Sequence, residues 1–366
     1  MKKIFTLILF AALYMPAFSQ TRTFVIKGTV ENLSPDVKLV FNDWGVNEGV
    51  DIKVENGAFE VKGELKEGTY PRVAYINIMR GPSSRGNNII LEPGEIRVSF
   101  DNRMKITVGG TTENDNLQRL SSILGKYDEA SAAAFYAWSA AYNKNAPEQE
   151  LEELWKKSDD AKEETREIKL KVLLENDNYA SFVLAPALTR YEGAKITEKF
   201  IKKFERFSYT KGYENMKGHY EAMARCTDGA MVKDFTLPAP DGKMVSLSDF
   251  RGKWVLLDFW YVKCHWCRKL APNLGKIYNE YKDKLEIISI NVDKESDRED
   301  MLRVIEEDKM VWTQVNDKTK KELPEYFGVT GYPTLFLIDP QGRGIEMRVG
   351  YCEAGSLRRF FDKYIK

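Results

Sequence analysis

The chain has 366 residues, too many for one small domain and enough for two or three. Its 55 lysines and arginines balance its 55 aspartates and glutamates, which argues against a nucleic-acid surface or an acidic tail. Apolar residues make up 43%, an ordinary globular content that supplies a core.

Met1-Lys2-Lys3 is a basic start, and residues 4–18 are nearly all apolar. Ala17-Phe18-Ser19 then places small residues at the two positions a signal peptidase reads. This predicts a secretory signal peptide over residues 1–19, cleaved before Gln20. The competing reading is a membrane anchor. The apolar stretch is about 15 residues long and broken by Pro16, where a span wants about 20. No cysteine directly follows the cleavage point, so no lipid anchor is expected. No later segment is apolar enough for stable membrane insertion. A periplasmic or secreted location follows, and in such compartments cysteines can pair.

Residues 20–110 read as strands, at 23–30, 37–41, 58–61, 72–78, 88–91, 95–100 and 105–108. Asn56-Gly57, Pro93-Gly94 and Gly109-Gly110 mark turns between them. Short strands at this spacing predict an antiparallel β-sandwich domain. Gly81-Pro-Ser-Ser-Arg-Gly86 lacks the ending of a phosphate loop and reads as a hairpin turn.

The period changes over residues 111–226. Residues 113–143 and 147–177 are long, charged and nearly free of Gly and Pro, which predicts a helical hairpin. Shorter helices follow at 181–190, 196–207 and 213–225. Together they predict an all-α region between two sheet-containing domains. The alanines between Ala130 and Ala141 read as a close-packed helix face, and residues 150–167 as a solvated charged one.

After a linker-like stretch, Thr227-Asp-Gly-Ala230, residues 229–366 read as an α/β domain. A β-hairpin turns at Pro240-Asp241-Gly242. Strands follow at 253–260, 285–292, 311–314, 334–339 and 344–349, with helices at 265–282, 296–308, 318–327 and 354–365.

The chemistry centres on Cys264-His265-Trp266-Cys267. Two thiols three positions apart at a helix start can close a small disulfide ring, and the helix N-terminus stabilises a thiolate on the first. Half a zinc site has the same spacing. With His219 and His265 the only histidines and no second C-x-x-C, zinc is poorly supplied. The apolar run Trp254-Val-Leu-Leu-Asp-Phe-Trp260 before the pair and the helical pattern after it make the pair a redox motif. No bound cofactor is needed, since electrons travel through the cysteines. Cys226 and Cys352 remain, either as a structural bridge or as separate buried thiols.

Asp258, the pair, Ala271-Pro272 and Leu274 together resemble the thioredoxin active-site segment, and Thr330-Gly331-Tyr332-Pro333-Thr334 resembles that family's cis-proline loop. The whole of 229–366 resembles the TlpA/ResA type of extracytoplasmic thiol–disulfide oxidoreductase, related to AhpC/TSA proteins. Residues 22–108 are similar to a β-rich domain of unknown function that precedes such modules. The resemblance implies a thioredoxin fold and a Cys264 exposed at the helix start, acting as nucleophile with Cys267 resolving.

Lys263, His265 and Arg268 add positive charge near Cys264. Asp258, buried on its strand, is expected to have a raised pKa and to take the proton of Cys267. Ser289 stands where the family often has a lysine, so a charge partner is missing. Pro333 is expected to be cis, and Tyr332 and Thr330 to line the docking groove. Trp266 and His265 are candidate substrate contacts. His265 either favours the reduced form or points to solvent. Pro272 and Trp260 read as structural.

The expected partners are protein thiols and disulfides, with a membrane electron donor or acceptor in addition. One rival is a peroxiredoxin-type thiol peroxidase, although Cys264 follows Tyr-Val-Lys and not the threonine or serine that type wants. Another is a substrate-binding front half that carries an accessory redox domain.

Overall fold

The computed structural model describes residues 22–43, 49–81, 83–317 and 322–365. The expected signal peptide lies outside them. The chain divides into two compact units, Met1–Asp115 and Asn116–Lys366.

The first unit holds β1 (Arg22–Val30), β2 (Val37–Asp43), β3 (Val50–Ile52), β4 (Ala58–Leu65), β5 (Arg72–Arg80), β6 (Ser83–Leu91), β7 (Gly94–Phe100) and β8 (Ile106–Gly109). They form two four-stranded sheets, ordered β4-β1-β7-β8 and β3-β2-β5-β6. In β1 the buried Phe24, Ile26 and Val30 alternate with exposed Thr23, Lys27 and Thr29, the pattern of a half-buried strand. Asn56 and Gly57 both take positive φ, 50° and 75°, and turn the chain into β4, as this dipeptide favours. One pairing departs from the antiparallel expectation: β1 runs parallel to β7. Side-chain alternation is the same in either direction, so it carries no information on strand polarity. β3 carries no strand signal in the sequence, being three residues long with one of them buried.

A helix, α1 (Thr112–Asn143), leads into the second unit. It is followed by α2 (Glu148–Glu175), α3 (Tyr179–Thr189), α4 (Ala194–Lys203) and α5 (Lys211–Cys226). Then come β9 (Thr236–Pro238) and β10 (Met244–Ser246), which pair as a hairpin. The α/β part continues with β11 (Trp254–Trp260), α6 (His265–Tyr281), β12 (Leu285–Asn291), α7 (Arg298–Glu307), β13 (Thr313–Asn316), α8 (Glu322–Tyr326), β14 (Thr334–Ile338), β15 (Gly344–Val349) and α9 (Ala354–Asp362). The sheet order is β13-β12-β11-β14-β15, with β11, β12 and β13 parallel, β14 antiparallel to β11, and β15 antiparallel to β14. β11 is central and buried on both faces. Leu256 and Trp260 join the core under α6 and α9, and Val255, Leu257 and Phe259 join the core on the other face. That is why it reads as a continuous apolar run. β13 lies two residues beyond its predicted start; Val311 is exposed, and the ladder begins with Ile288 opposite Thr313.

The linker-like stretch is not free. Gly229 N–H donates to Gly344 O and Gly344 N–H donates to Ala230 O, both at 2.8 Å, beside a bridge between Met231 and Arg343. A Cβ at Gly344 would lie 1.9 Å from the backbone oxygen of Cys226. Gly344→Ala is therefore expected to destabilise the second unit by roughly 3 kcal/mol or more, read as a lowered thermal midpoint. An unchanged midpoint would mean that this seam is not closed.

The helical hairpin docks on the α/β part. Glu148 pairs with Lys276, Glu152 with Arg358, and Asp159 with Arg348 and Arg359. The charged segment 150–167 is thus partly a contact face, with Trp155, Ser158 and Thr165 buried in it. The alanines of 130–141 are exposed or half-buried; Trp138 among them is the buried residue, joining the core around α6 and α9.

Candidate active site

The loop after β11 is tied down before the first cysteine. Val262 N–H donates to Asp293 Oδ2 at 2.6 Å, and Cys264 N–H to Tyr261 O at 3.0 Å. Cys264 is the N-cap of α6, and its Sγ accepts from Cys267 N–H at 3.1 Å. The two cysteines form a disulfide with Cα atoms 5.3 Å apart. Both are buried, at 4% and 6% exposure, so Cys264 is more enclosed than the exposed thiol anticipated. It lies in the same core cluster as Trp260, Leu270 and Leu335.

Arg268 does not lend its charge to Cys264. Its Nε and Nη2 bind Asp308 at 2.9 and 2.8 Å, and Nη2 also binds Glu307 at 2.9 Å. Lys263 and His265 are exposed at the surface. The electrostatic help that remains comes mainly from the backbone at the α6 N-terminus.

Asp258 sits on β11 opposite Ser289 of β12 and Leu335 of β14. It is 3% exposed. Ser289 Oγ donates to Oδ2 at 2.7 Å, and Trp312 Nε1 donates to that same Oγ at 2.8 Å. Oδ1 meets no donor among the described residues. Burial pushes the carboxyl up to about 7, with the Ser289 bond pulling the other way.

The Tyr332–Pro333 peptide is cis. Pro333 is buried, and its carbonyl accepts from Gly350 N–H at 2.8 Å. Thr334 Oγ1 donates to Gly331 O at 2.7 Å and so braces the loop. Tyr332 is half-buried, edge-on to Tyr261 with centroids 5.3 Å apart, and burial raises its hydroxyl pKa. Thr330 is exposed. Trp266 is 41% exposed, with its ring 5.2 Å from His265. Trp260 is core.

Residues that the motifs did not reveal complete the surroundings. Tyr351, just beyond β15, places its ring 5.6 Å from Trp266, 5.5 Å from Trp138 and 5.1 Å from Trp155. Glu353 accepts from the Tyr351 hydroxyl at 2.8 Å, from Trp138 Nε1 at 3.1 Å and from Asn273 Nδ2 at 3.3 Å. No spacing rule links these positions; an isolated tryptophan in an alanine-rich helix was the one available signal. Cys226 and Cys352 are separate buried thiols, each pushed up to about 12 by burial.

The AhpC/TSA family model matches residues 229–344, and a domain of unknown function (DUF4369) matches residues 24–117. Thioredoxin-like protein YneN of Bacillus subtilis is 32% identical over 136 residues, covering 37% of this chain and 79% of that protein. Thiol-disulfide oxidoreductase ResA of Bacillus thuringiensis is 31% identical over 153 residues, covering 42% of this chain and 87% of ResA. The chain belongs to the ResA-type thioredoxin-like family. A solved thioredoxin domain of a thiol-disulfide oxidoreductase from Bacteroides vulgatus is 35% identical, with a TM-score of 0.34, covering 38% of this chain and 97% of that one. This ResA-type chain is a protein-disulfide oxidoreductase, and the peroxidase alternative is not favoured. The DUF4369 match gives the first unit a family and no activity.

Proposed function

We propose that the chain is an extracytoplasmic protein-disulfide reductase that works through Cys264 and Cys267. What supports it most directly is a disulfide at the N-terminus of α6 in a domain whose central strand carries a buried carboxyl with its pKa near neutral. In the reduced enzyme the Cys264 thiolate attacks a substrate disulfide, giving a mixed disulfide and one substrate thiolate. Cys267 loses its proton to Asp258 and attacks Cys264 Sγ. The Cys264–Cys267 bond forms, the mixed disulfide breaks, and the second substrate thiolate leaves. The substrate gains two electrons and the enzyme pair loses two. A dithiol donor then restores the pair, and a membrane-borne donor suits an extracytoplasmic enzyme. Pro333 and Tyr332 offer the edge on which an extended substrate docks, with Trp266 as the exposed apolar contact and His265 and Thr330 at the rim.

The charges around the pair support this direction. A pair is oxidising when its reduced form is stabilised. Arg268 is spent on Asp308 and Glu307, and His265 faces solvent, so little extra charge favours the thiolate. The Cys264–Cys267 potential, measured in defined thiol buffers with Cys226 and Cys352 replaced by serine, is expected at or below about −250 mV. A value above about −150 mV would reverse the direction, and no two-electron couple would end the redox reading. Cys267→Ser is expected to trap a mixed disulfide on Cys264, detectable by intact mass, while Cys264→Ser traps none.

A further inference from the structure

Asp258, Ser289 and Trp312 form a row across neighbouring strands, β11, β12 and the residue just before β13. All three are buried, at 3%, 0% and 4% exposure. An indole N–H can only donate. Ser289 Oγ therefore accepts from Trp312, and its own proton is directed at Asp258 Oδ2. A serine alone could rotate its hydroxyl elsewhere; held by Trp312 at 2.8 Å, it keeps a lone pair toward the indole and its proton toward the carboxylate. Oδ2 is thereby occupied, and Oδ1 is the oxygen left to exchange a proton.

We infer that Trp312 is a positioning residue for proton transfer: through Ser289 it fixes the Asp258 carboxyl so that Oδ1 takes the proton of Cys267. This rests on the role given to Asp258 above. In the resolving step the proton moves from Cys267 Sγ to Oδ1, the Cys264–Cys267 bond forms, and the Cys264–substrate bond breaks. The departing substrate thiolate takes up a proton, and Asp258 returns to its ionised form. The relay is neutral throughout, so it supports the carboxylate by hydrogen bonding where a lysine would do so by charge.

Few other charges bear on Asp258. Its strand partners are Ser289 and Leu335; Arg348 of β15 stands opposite Leu335 on the same face, paired with Asp159 of α2. On the α6 side the titratable groups are Cys264 and Cys267, with Cys352 in the same core and Glu353 held by Trp138, Tyr351 and Asn273. On α7 and the turn after it, Glu307 and Asp308 are tied to Arg268. Glu286 of β12 binds Thr313 and, by strand alternation, lies on the opposite face from Ser289.

The test uses the full chain and the pH dependence of the resolving step from pH 5 to 9, with a protein disulfide as substrate. Asp258 itself is followed by its protonated-carboxyl infrared band, taken as a difference against Asp258→Asn. Trp312→Phe keeps a ring and loses the donor; Ser289→Ala removes the relay and is the second variant if the first folds poorly. Ser289→Ala is expected to move the acid limb and the band upward by about one pH unit, and Trp312→Phe by about half of that. The double variant should move them no further than Ser289→Ala alone, since Trp312 acts through Ser289. A limb that Asp258→Asn removes but Trp312→Phe leaves in place would overturn the inference alone, as would additive shifts. A limb insensitive to Asp258→Asn would overturn both the inference and the proton-transfer role of Asp258.

Discussion

Asp258→Asn is expected to stabilise the oxidised protein at pH 8 by on the order of 4 kcal/mol and to slow disulfide reduction by about 10²–10⁴-fold. The sign comes from proton counting. Burial holds the folded carboxyl at about 7 against an ordinary 3.8. Below about pH 4 both states are protonated and the group is neutral in effect. As pH rises from 4 to 7 the unfolded chain ionises first, the folded state keeps the extra proton, and stability falls. Above 7 the full cost of the buried charge is present. Asparagine cannot ionise, so the gain over the natural protein should vanish near pH 4 and be complete by pH 8. Urea unfolding at both pH values checks it, and equal gains at the two would sink the explanation. The expected rate loss comes from removing the proposed acceptor for the Cys267 proton. A variant that is both stabler and slower would mark Asp258 as a residue kept for chemistry at a cost in stability.

Trp138→Ala is the second large effect. The ring is fully buried, so its removal should cost about 3–5 kcal/mol. It also takes one donor from the buried Glu353 and one side from the cage around Tyr351. Trp266 leans on Tyr351, so losing that support should raise KM for a protein disulfide while a small aromatic disulfide reacts as before. Unfolding curves and the ratio of the two activities measure this. Equal losses on both substrates would show that Trp138 only holds the fold. Trp138→Phe separates the hydrogen bond from the ring, at about 1–3 kcal/mol for the acceptor left short of a donor.

The candidate redox site was legible in the sequence because its residues sit in one ordered stretch of rare residue types. Two cysteines at helix spacing, an acid six positions earlier on an apolar strand and a proline ahead of a later strand have few other uses together. Ser289 could also be read as the neighbour of Asp258, and the pairing of β11 with β12 puts them side by side. Trp312 could not, because a buried indole looks like core until its N–H is traced. Strand positions were close in the first unit except at β6, which begins at Ser83 inside the stretch read as a turn, while the parallel run of β1 and β7 left no mark in the alternation. The least legible part was the docking of the helical hairpin. Glu152 and Asp159 looked like ordinary solvated charges; their partners Arg358, Arg348 and Arg359 come some two hundred residues later. The chain divides into two compact units at Asp115, and α2 to α5 lie in the second with the α/β part. A front-half deletion that asks whether the β-rich domain selects substrates should therefore end at Asp115, leaving α2 and its contacts intact.

A fragment starting at Gly229 would carry Cys264, Cys267, Asp258 and Pro333, and on the proposed function would pass for a complete enzyme in an assay with a small disulfide. It would also be a different object. Tyr351 would be stripped of two indole neighbours, Glu353 of a donor, and Lys276, Arg348, Arg358 and Arg359 of carboxylate partners on α2. The newly bared strip would be aromatic at its centre and cationic around it, an adhesive patch beside the disulfide. Such a fragment would bind acidic and apolar proteins indiscriminately. Its substrate list would describe the wound and not the enzyme.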